Sequence, residues 1–395
     1  MRDTLGLEKN IIVMLIAIFV IGMGEEMWVR FIPKYLELLG ASTLVIALYG
    51  TLKELLDAIY QYPGGWLSDK LGRRLSLGLF TILAIIGYFL YLVSPSWEWV
   101  LLGTILVMAW SSLSSPGIFA IIGDNLSQDR RATGFGVQST LKRVPRVIAP
   151  SLGGFLIVYL GFTLGIKIGL AISIVLAFFS MFIVTRHYIE KTPSRESSER
   201  IIDIWGAMDG RLKRLLVSDC LARWAGGIPN VFIVLYVLNV LQANALVYGW
   251  LIGLQMSIAI FSYIMVARLS DRMNRKPFIL LTFAFFAFFP LALVVSSTFL
   301  WLVFAFAVAG LREVGEPARK ALIVDLVNEK SRGRSVGVYY LMRGLIVFPA
   351  SILGGVLWLI SPELPFYIAF IFGMLGVIVY ALWGPGITSP NFRNG

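Results

Sequence analysis

The sequence predicts an all-α integral membrane protein, with twelve transmembrane helices in two pseudo-symmetric six-helix bundles around a central cavity. Three observations carry that expectation. Hydrophobic residues make up 58% of the 395 positions and charged residues only 14%, with a mean hydropathy of +0.81, so most of the chain must be solvated by lipid rather than water. The hydrophobic residues fall in a succession of long runs. The special residues between those runs recur in the second half at one nearly constant offset.

A helix needs roughly 20 residues to cross the hydrocarbon. On that measure the first half holds spans near residues 11–36, 43–66, 75–94, 98–122, 133–160 and 163–185, and the second half spans near 212–240, 245–267, 278–297, 299–324, 335–360 and 363–384. The apolar run from Ile11 continues through Glu25 and Glu26 with no small-residue cleavage pattern, so the first helix is expected to stay in the protein. Residues 186–211, which include Lys191, Arg195, Glu196 and Arg200, form the only long polar stretch. They read as a cytoplasmic linker between an N-terminal bundle, 1–185, and a C-terminal bundle, 212–395.

The formal charge of +11 would suit nucleic acid if it formed one patch, but it is dispersed between the hydrophobic runs. One set of loops holds Lys70, Arg73 and Arg74, then Arg130 and Arg131, Arg195 and Arg200, Arg268, Arg272, Arg275 and Lys276, and finally Lys330, Arg332 and Arg334. The alternate loops are nearly free of basic residues. An excess of positive charge on cytoplasmic loops is what membrane insertion requires, so both termini are expected in the cytoplasm, the protein in the cell (inner) membrane, and no nucleic acid among its partners. The single cysteine, Cys220, excludes an intrachain disulfide, and the single histidine, His187, cannot make a metal site by itself. No metal or cofactor is expected.

The two halves repeat one another. Leu67-Ser68-Asp69 matches Leu269-Ser270-Asp271, Arg73 matches Arg275, Pro116 matches Pro317, Asp124 matches Asp325, and Leu152-Gly153-Gly154 matches Leu353-Gly354-Gly355. Within this repeat, Gly65-Trp66-Leu67-Ser68-Asp69-Lys70-Leu71-Gly72-Arg73-Arg74 resembles the signature loop between the second and third helices of the major facilitator superfamily. The second copy, Ala267 to Lys276, is degraded, with Ala267 and Asn274 in place of glycines. By resemblance, Gly65, Asp69, Gly72, Arg73 and Arg74, with Asp271 and Arg275 in the second copy, latch one of two alternating states. In physical terms Gly65 would allow two helices to approach closely, and Asp69 would interact with a helix N-terminus. Pro150-Ser151-Leu152-Gly153-Gly154 is similar to the end of the glycine-proline motif of proton-coupled efflux members, although Ala149 stands where a glycine is expected. Small residues at these positions also serve simple close packing.

Charge at membrane depth is the most informative feature. An ionised group near the bilayer midplane costs at least about 2.5 kcal/mol on insertion scales, so such groups line cavities and serve transport. The first helix carries Glu25, Glu26 and Arg30, the second Lys53, Glu54 and Asp57, and the fifth Lys142, Arg143 and Arg146. The second half adds Arg223 on the seventh helix, Arg312, Glu313, Glu316 and Lys320 on the tenth, and Arg343 on the eleventh. Their three- and four-residue spacing makes polar stripes that cannot face lipid.

Glu26 with Arg30, Lys53 with Asp57, Asp219 with Arg223, and Arg312 with Glu316 are four apart and able to pair within a helix. Glu25, Glu54, Glu313, Arg146 and Arg343 have no such partner and need one across a cavity, a proton or a substrate. A desolvated carboxylate without a fixed cation takes up a proton more readily, which makes Glu25, then Glu54 and Glu313, the candidates for proton coupling. Arg146, Arg223 and Arg343 would attract an anionic or strongly hydrogen-bonding solute. Tyr339 and Tyr340, with Ser111, Ser114 and Ser115, could complete the pocket or simply pack.

The expected function is secondary active transport of a small solute by alternating access, with proton-coupled efflux first. Proton-coupled uptake of an organic anion, or a non-transporting receptor on the same fold, remains open. No nucleotide loop, metal-ligand cluster or histidine-based nucleophile suggests an enzyme. The expected partners are the solute, protons and the lipid bilayer, and the expected state is a monomer.

Overall fold

The computed structural model describes residues 9–115, 118, 131–189, 205–206, 208–270, 273–327 and 332–385, with residues 9, 131–140, 267–268, 270 and 332–334 described by backbone alone. Among these residues every regular element is helical, and the helices group into twelve. In the first half, α1 comprises Lys9–Glu25 and Ile32–Leu38, joined by a 3-10 turn at Val29–Phe31; α2 is Thr43–Leu71 and α3 is Arg73–Val93. Then α4 is Trp97–Met108, continued by a π-helical turn at Ala109–Leu113; α5 is Arg131–Leu160 and α6 is Phe162–His187. In the second half, α7 comprises Gly210–Gly227 and Phe232–Leu235 with a π-helical turn at Tyr236–Val240; α8 is Ala245–Ser270 and α9 is Lys276–Val294. Lastly, α10 comprises Phe299–Leu311 and Glu316–Asp325, α11 comprises Arg332–Val347 and Ala350–Trp358, and α12 is Leu364–Trp383.

Nine stretches among the described residues are long and apolar enough to cross a membrane by themselves. The other three helices fall short for physical reasons. α2 carries Lys53, Glu54 and Asp57, α4 is a shorter apolar helix, and α10 is broken before a charged second segment. Large apolar side chains such as Phe261, Leu300 and Ile360 point outward, where lipid rather than water suits them.

The chain forms two compact units. One contains residues 1–196 and 242–253, the other residues 197–241 and 254–395. Within the first, α1 packs on α5 and α6, and α3 packs on α4 and α6. Within the second, α7 and α9 both pack on α12, and α9 packs on α10. The helix interruptions follow the same repeat. α1 breaks after Glu25 and α7 after Gly227, while α4 and α10 lose α-helical geometry at Ala109 and after Leu311. Irregular backbone at membrane depth leaves amides without helical partners and is tolerated only where protein or a water-filled space surrounds it.

Local chemistry accounts for the tight hairpin between α2 and α3. Ser42 caps the start of α2 by accepting from the Val45 amide at 3.4 Å. Gly72 ends α2 at φ 85°, in the left-handed region that a side chain disfavours, and α3 begins at the next residue. A close approach is seen at the residue beside Gly65. Gly64 is buried, and a Cβ there would collide with the Leu113 backbone of α4.

Candidate functional site

In the first unit the polar side chains gather where α1 loses its helical geometry. The α-helix ends at Glu25, and Trp28 anchors the irregular turn from the other side. Its indole Nε1 donates to Ser173 Oγ of α6 at 2.8 Å, and its ring meets Tyr88 and Tyr91 of α3 edge to face, with centroids at 5.4 and 5.5 Å. Gly153 of α5 lies so close to the Met27 carbonyl that any side chain there would displace the turn. Gly153 therefore has a packing role, seating α5 against the break that presents Glu25 and Glu26.

Those two neighbouring carboxylates have different surroundings. Glu26 is enclosed and doubly paired, accepting from Arg30 Nε at 3.3 Å and from Arg146 Nε of α5 at 2.8 Å. The Glu25 side chain is half-buried and makes no hydrogen bond or ion pair among the described residues. The charges that act on it are Glu26 beside it, Lys53 of α2, and Arg146 and Lys142 of α5. Lys53 does not pair with Asp57 as its spacing allows. Its ammonium lies 5.6 Å from the Tyr49 ring centroid, while Asp57 accepts from Ser112 Oγ in the π-helical turn of α4 at 2.8 Å. Ser112, rather than Ser111, Ser114 or Ser115, is thus the serine of α4 that meets a charged group. Glu54 and Arg143 are engaged by neighbours.

In the second unit the charges close on one another. Asp219 of α7, fully buried, accepts from Arg319 Nη1 at 2.6 Å, from the Tyr339 hydroxyl at 2.9 Å and from Arg343 Nη1 at 3.5 Å; Arg223 Nε lies 3.6 Å from its other oxygen. Glu316 pairs with Arg319 Nη2 at 2.7 Å and with Arg223. Tyr340 lies beneath the Arg343 guanidinium, 4.6 Å from it. Arg312 does not pair with Glu316 because α10 is interrupted between them, and four-residue spacing brings side chains together only along a continuous helix. It donates instead to the Ala309 carbonyl at 3.0 Å and stacks over Phe289 and Phe286. Glu313 is also engaged.

Arg146, Arg223 and Arg343, expected to await an anionic solute, are all held by carboxylates, since a guanidinium fork matches a carboxylate in geometry and charge. Sequence reasoning missed Arg319 and read Asp219 only as the partner of Arg223. The available signal was that Arg319 lies three residues after Glu316, and that Asp219 is the one acid in Gly210–Gly227.

The charged hairpin after α2 is organised by Arg73. Its Nη1 lies 2.7 Å from Asp69 Oδ1 and donates to Ser68 Oγ at 2.9 Å. Asp69, well exposed, thus meets a side chain at the start of α3 rather than the backbone amides of a helix N-terminus. In the second copy Arg275 pairs with Asp325 of α10; Asp271 lies outside the described residues. At the near end of α7, Asp209 accepts from the Arg211 amide at 2.6 Å, and the Arg211 side chain holds its carboxyl below the usual carboxylate range.

The Major Facilitator Superfamily profile matches residues 14–218 and again 215–394, one copy for each half. The chain belongs to the Major Facilitator Superfamily. This superfamily member is a multi-pass membrane transporter and not an enzyme. It is 24% identical over 381 residues to an uncharacterized MFS-type transporter of Methanocaldococcus jannaschii, covering 91% of each chain. It is 27% identical over 150 residues to the quinolone resistance protein NorA of Staphylococcus aureus, which spans 38% of this chain and 39% of that one. Among solved structures its fold is shared by a POT family transporter in complex with 5-aminolevulinic acid, at a TM-score of 0.78, 12% identity and 96% coverage of both chains.

Proposed function

We propose that this transporter couples proton movement to the export of a small solute by alternating access, and that Glu25 carries the proton. One observation supports the assignment above the rest. Two adjacent carboxylates sit at the same helix break, and only one of them has fixed partners. Glu26 is permanently neutralised by Arg30 and Arg146, whereas Glu25 has no direct partner among the described residues and is reachable. A carboxylate in that position gains and loses a proton without dismantling the fold. Glu54 and Glu313 stand next in line.

Export is favoured by the likeness to a resistance protein over part of the chain and by the Pro150 to Gly154 segment. The basic loops put the linker at 186–211 and both termini on the cytoplasmic side, between bundles at 1–185 and 212–395, and the protein acts as a monomer. The Asp69–Arg73 pair serves as a latch between states. Uptake of an organic anion together with protons is the second reading, supported by the cationic surroundings of Glu25.

The test is solute flux in proteoliposomes with and without an imposed pH gradient. Glu25→Gln, which mimics the protonated acid, is expected to retain folding and lose the response to the gradient. A gradient-driven flux that survives in Glu25→Gln moves the proton site elsewhere.

A further inference from the structure

In the second unit two carboxylates, Asp219 and Glu316, meet three guanidiniums, so the network carries one positive charge more than it neutralises. The excess is not shared evenly. Arg319 is enclosed and makes short contacts to both acids, at 2.6 Å to Asp219 and 2.7 Å to Glu316, and Arg223 pairs with Glu316. Arg343 has one acceptor among the described residues, Asp219 Oδ2. It reaches that atom only at 3.5 Å, beyond the range of about 2.7–2.9 Å for a charge-assisted bond. Asp219 Oδ2 already accepts from Arg319 and from the Tyr339 hydroxyl at 2.9 Å. Asp219 Oδ1, which makes no hydrogen bond, is not the atom that Arg343 approaches. Asp219 is therefore neutralised without Arg343, and Arg343 is not satisfied by Asp219.

A guanidinium carries five N–H donors, and a charge on a spanning helix is costly without partners. Arg343 lies within the span Ser335–Trp358, and its side chain is 23% exposed against 2% for Arg319, so it is reachable where Arg319 is sealed. Its plane is set by the Tyr340 ring, whose centroid lies 4.6 Å away; Tyr340 in turn meets Tyr339 edge to face, with centroids at 5.6 Å. Stacking occupies one face of the guanidinium and leaves its N–H edges, which lie in the plane, open to a planar acceptor. The half-buried ring that carries the guanidinium also bears a hydroxyl with no hydrogen bond among the described residues.

We propose that Arg343 and Tyr340 of α11 form a binding site for the carboxylate of a monoanionic solute, the guanidinium fork taking both oxygens. One negative charge matches the one positive excess, and a phosphate dianion exceeds it. Of the other charges on α10, Arg312 and Glu313 are engaged and opposite in sign, and Lys320 lies over the Tyr263 ring of α8. The inference rests on the reading of the chain as a carrier of a small solute and adds the charge of its cargo. It does not depend on Glu25, which belongs to the other unit.

The experiment uses the purified full-length chain in detergent at low ionic strength, with calorimetric binding of acetate, butyrate, benzoate and phenylacetate. Each is paired with its primary amide, which keeps the shape and loses the charge, and inorganic phosphate is run beside them. At least one carboxylate is expected to bind roughly tenfold or more tightly than its amide, the scale of one charge-assisted contact. Arg343→Gln should abolish that preference and Tyr340→Phe should weaken it. Arg343→Lys should retain part of it, because an ammonium attracts the anion without the fork. Arg343→Gln should also melt close to wild type, since Arg319 and Tyr339 still hold Asp219. The absence of any carboxylate preferred over its amide overturns the proposal, as does a preference that survives Arg343→Gln. Tighter binding of phosphate than of every carboxylate overturns the monocarboxylate assignment. A large fall in melting temperature in Arg343→Gln makes Arg343 a structural tie and overturns it too. Binding is read without a pH gradient, so its failure leaves the assignment of Glu25 standing. Gradient-driven flux that survives Glu25→Gln removes that assignment without touching this one.

Discussion

The two units repeat one plan and both carry charge on spanning helices, yet they treat it in opposite ways. In the second unit, two carboxylates, Asp219 and Glu316, are enclosed by Arg223, Arg319 and Arg343 with the Tyr339 hydroxyl added. In the first, Glu26 is similarly enclosed by arginines, but Glu25, Lys53 and Lys142 make no ion pair among the described residues. The choice of cation follows the role. A guanidinium is a rigid fork that locks onto a carboxylate, whereas an ammonium is a compact point charge on a flexible stem that can change partners. The closed network is a strut, while the open one holds charges with no fixed ion partner. Charge on a spanning helix is therefore not by itself the mark of a working site, since the second unit uses it to hold its helices together.

The comparison can be broken most forcefully at Asp219. Asp219→Asn leaves Arg319, Arg343 and Arg223 facing a neutral group in a buried setting, and a loss of about 3–5 kcal/mol is expected, read as a large drop in melting temperature. Wild-type stability with an altered pH response would reverse the roles assigned to the two units. Next comes the contrast within the first unit. Glu26→Gln should cost about 1–3 kcal/mol, less than the fully buried case because Arg30 and Arg146 are each about a third exposed and retain some water. Glu25→Gln should melt within about 0.5 kcal/mol of wild type, since no direct contact is lost. Equal destabilisation by the two would erase the distinction on which the proton assignment stands.

A smaller effect is expected at Asp69→Asn, where the exposed carboxylate keeps most of its water and the buried Arg73 still has Ser68, so the pair contributes about 1 kcal/mol or less to stability. Slowed flux with unchanged melting supports a latch, and unchanged flux reduces the hairpin to a topology signal. The smallest is at Asp209, on the surface at the start of α7. Its carboxyl is held low by Arg211, so whatever stability it contributes is complete above the ordinary carboxylate range and is lost as pH falls through its lowered folded value. Asp209→Ala should cost about 1 kcal/mol or less at neutral pH, and the difference from wild type should shrink on acidification.

The helices were legible because hydrophobic length and the internal repeat are properties of local sequence. The breaks were less so. Residues 11–36 read as one span, and nothing in Glu25 to Phe31 announces that the helix stops there, because the stop depends on Trp28 reaching Ser173 and on Gly153 seating against Met27. Pairings failed for the same reason. Arg146 finds Glu26 across 120 residues of chain, and Arg319 finds Asp219 across 100. Spacing rules reach one helical turn, so they named Arg30 for Glu26 correctly, gave Lys53 the wrong partner, and offered Arg312 a partner across a turn that is not helical. What the sequence did convey was the list of charges; the fold decided which of them would be left over.

The helices that fall short of spanning length or apolarity, α2, α4 and α10, bear on how the protein is made. During synthesis each segment leaves the translocon into lipid when its own transfer energy allows, and a segment with three charges near its centre does not qualify alone. α2 must therefore wait beside α1, and the second segment of α10 must wait for the arginine and aspartate that α7 has already carried into the membrane. The ion pairs that steady the finished bundle are in this sense also an assembly schedule. Damage to Asp219 should be visible first as chains that stall and are degraded during biogenesis, before any mature transporter is available to be measured.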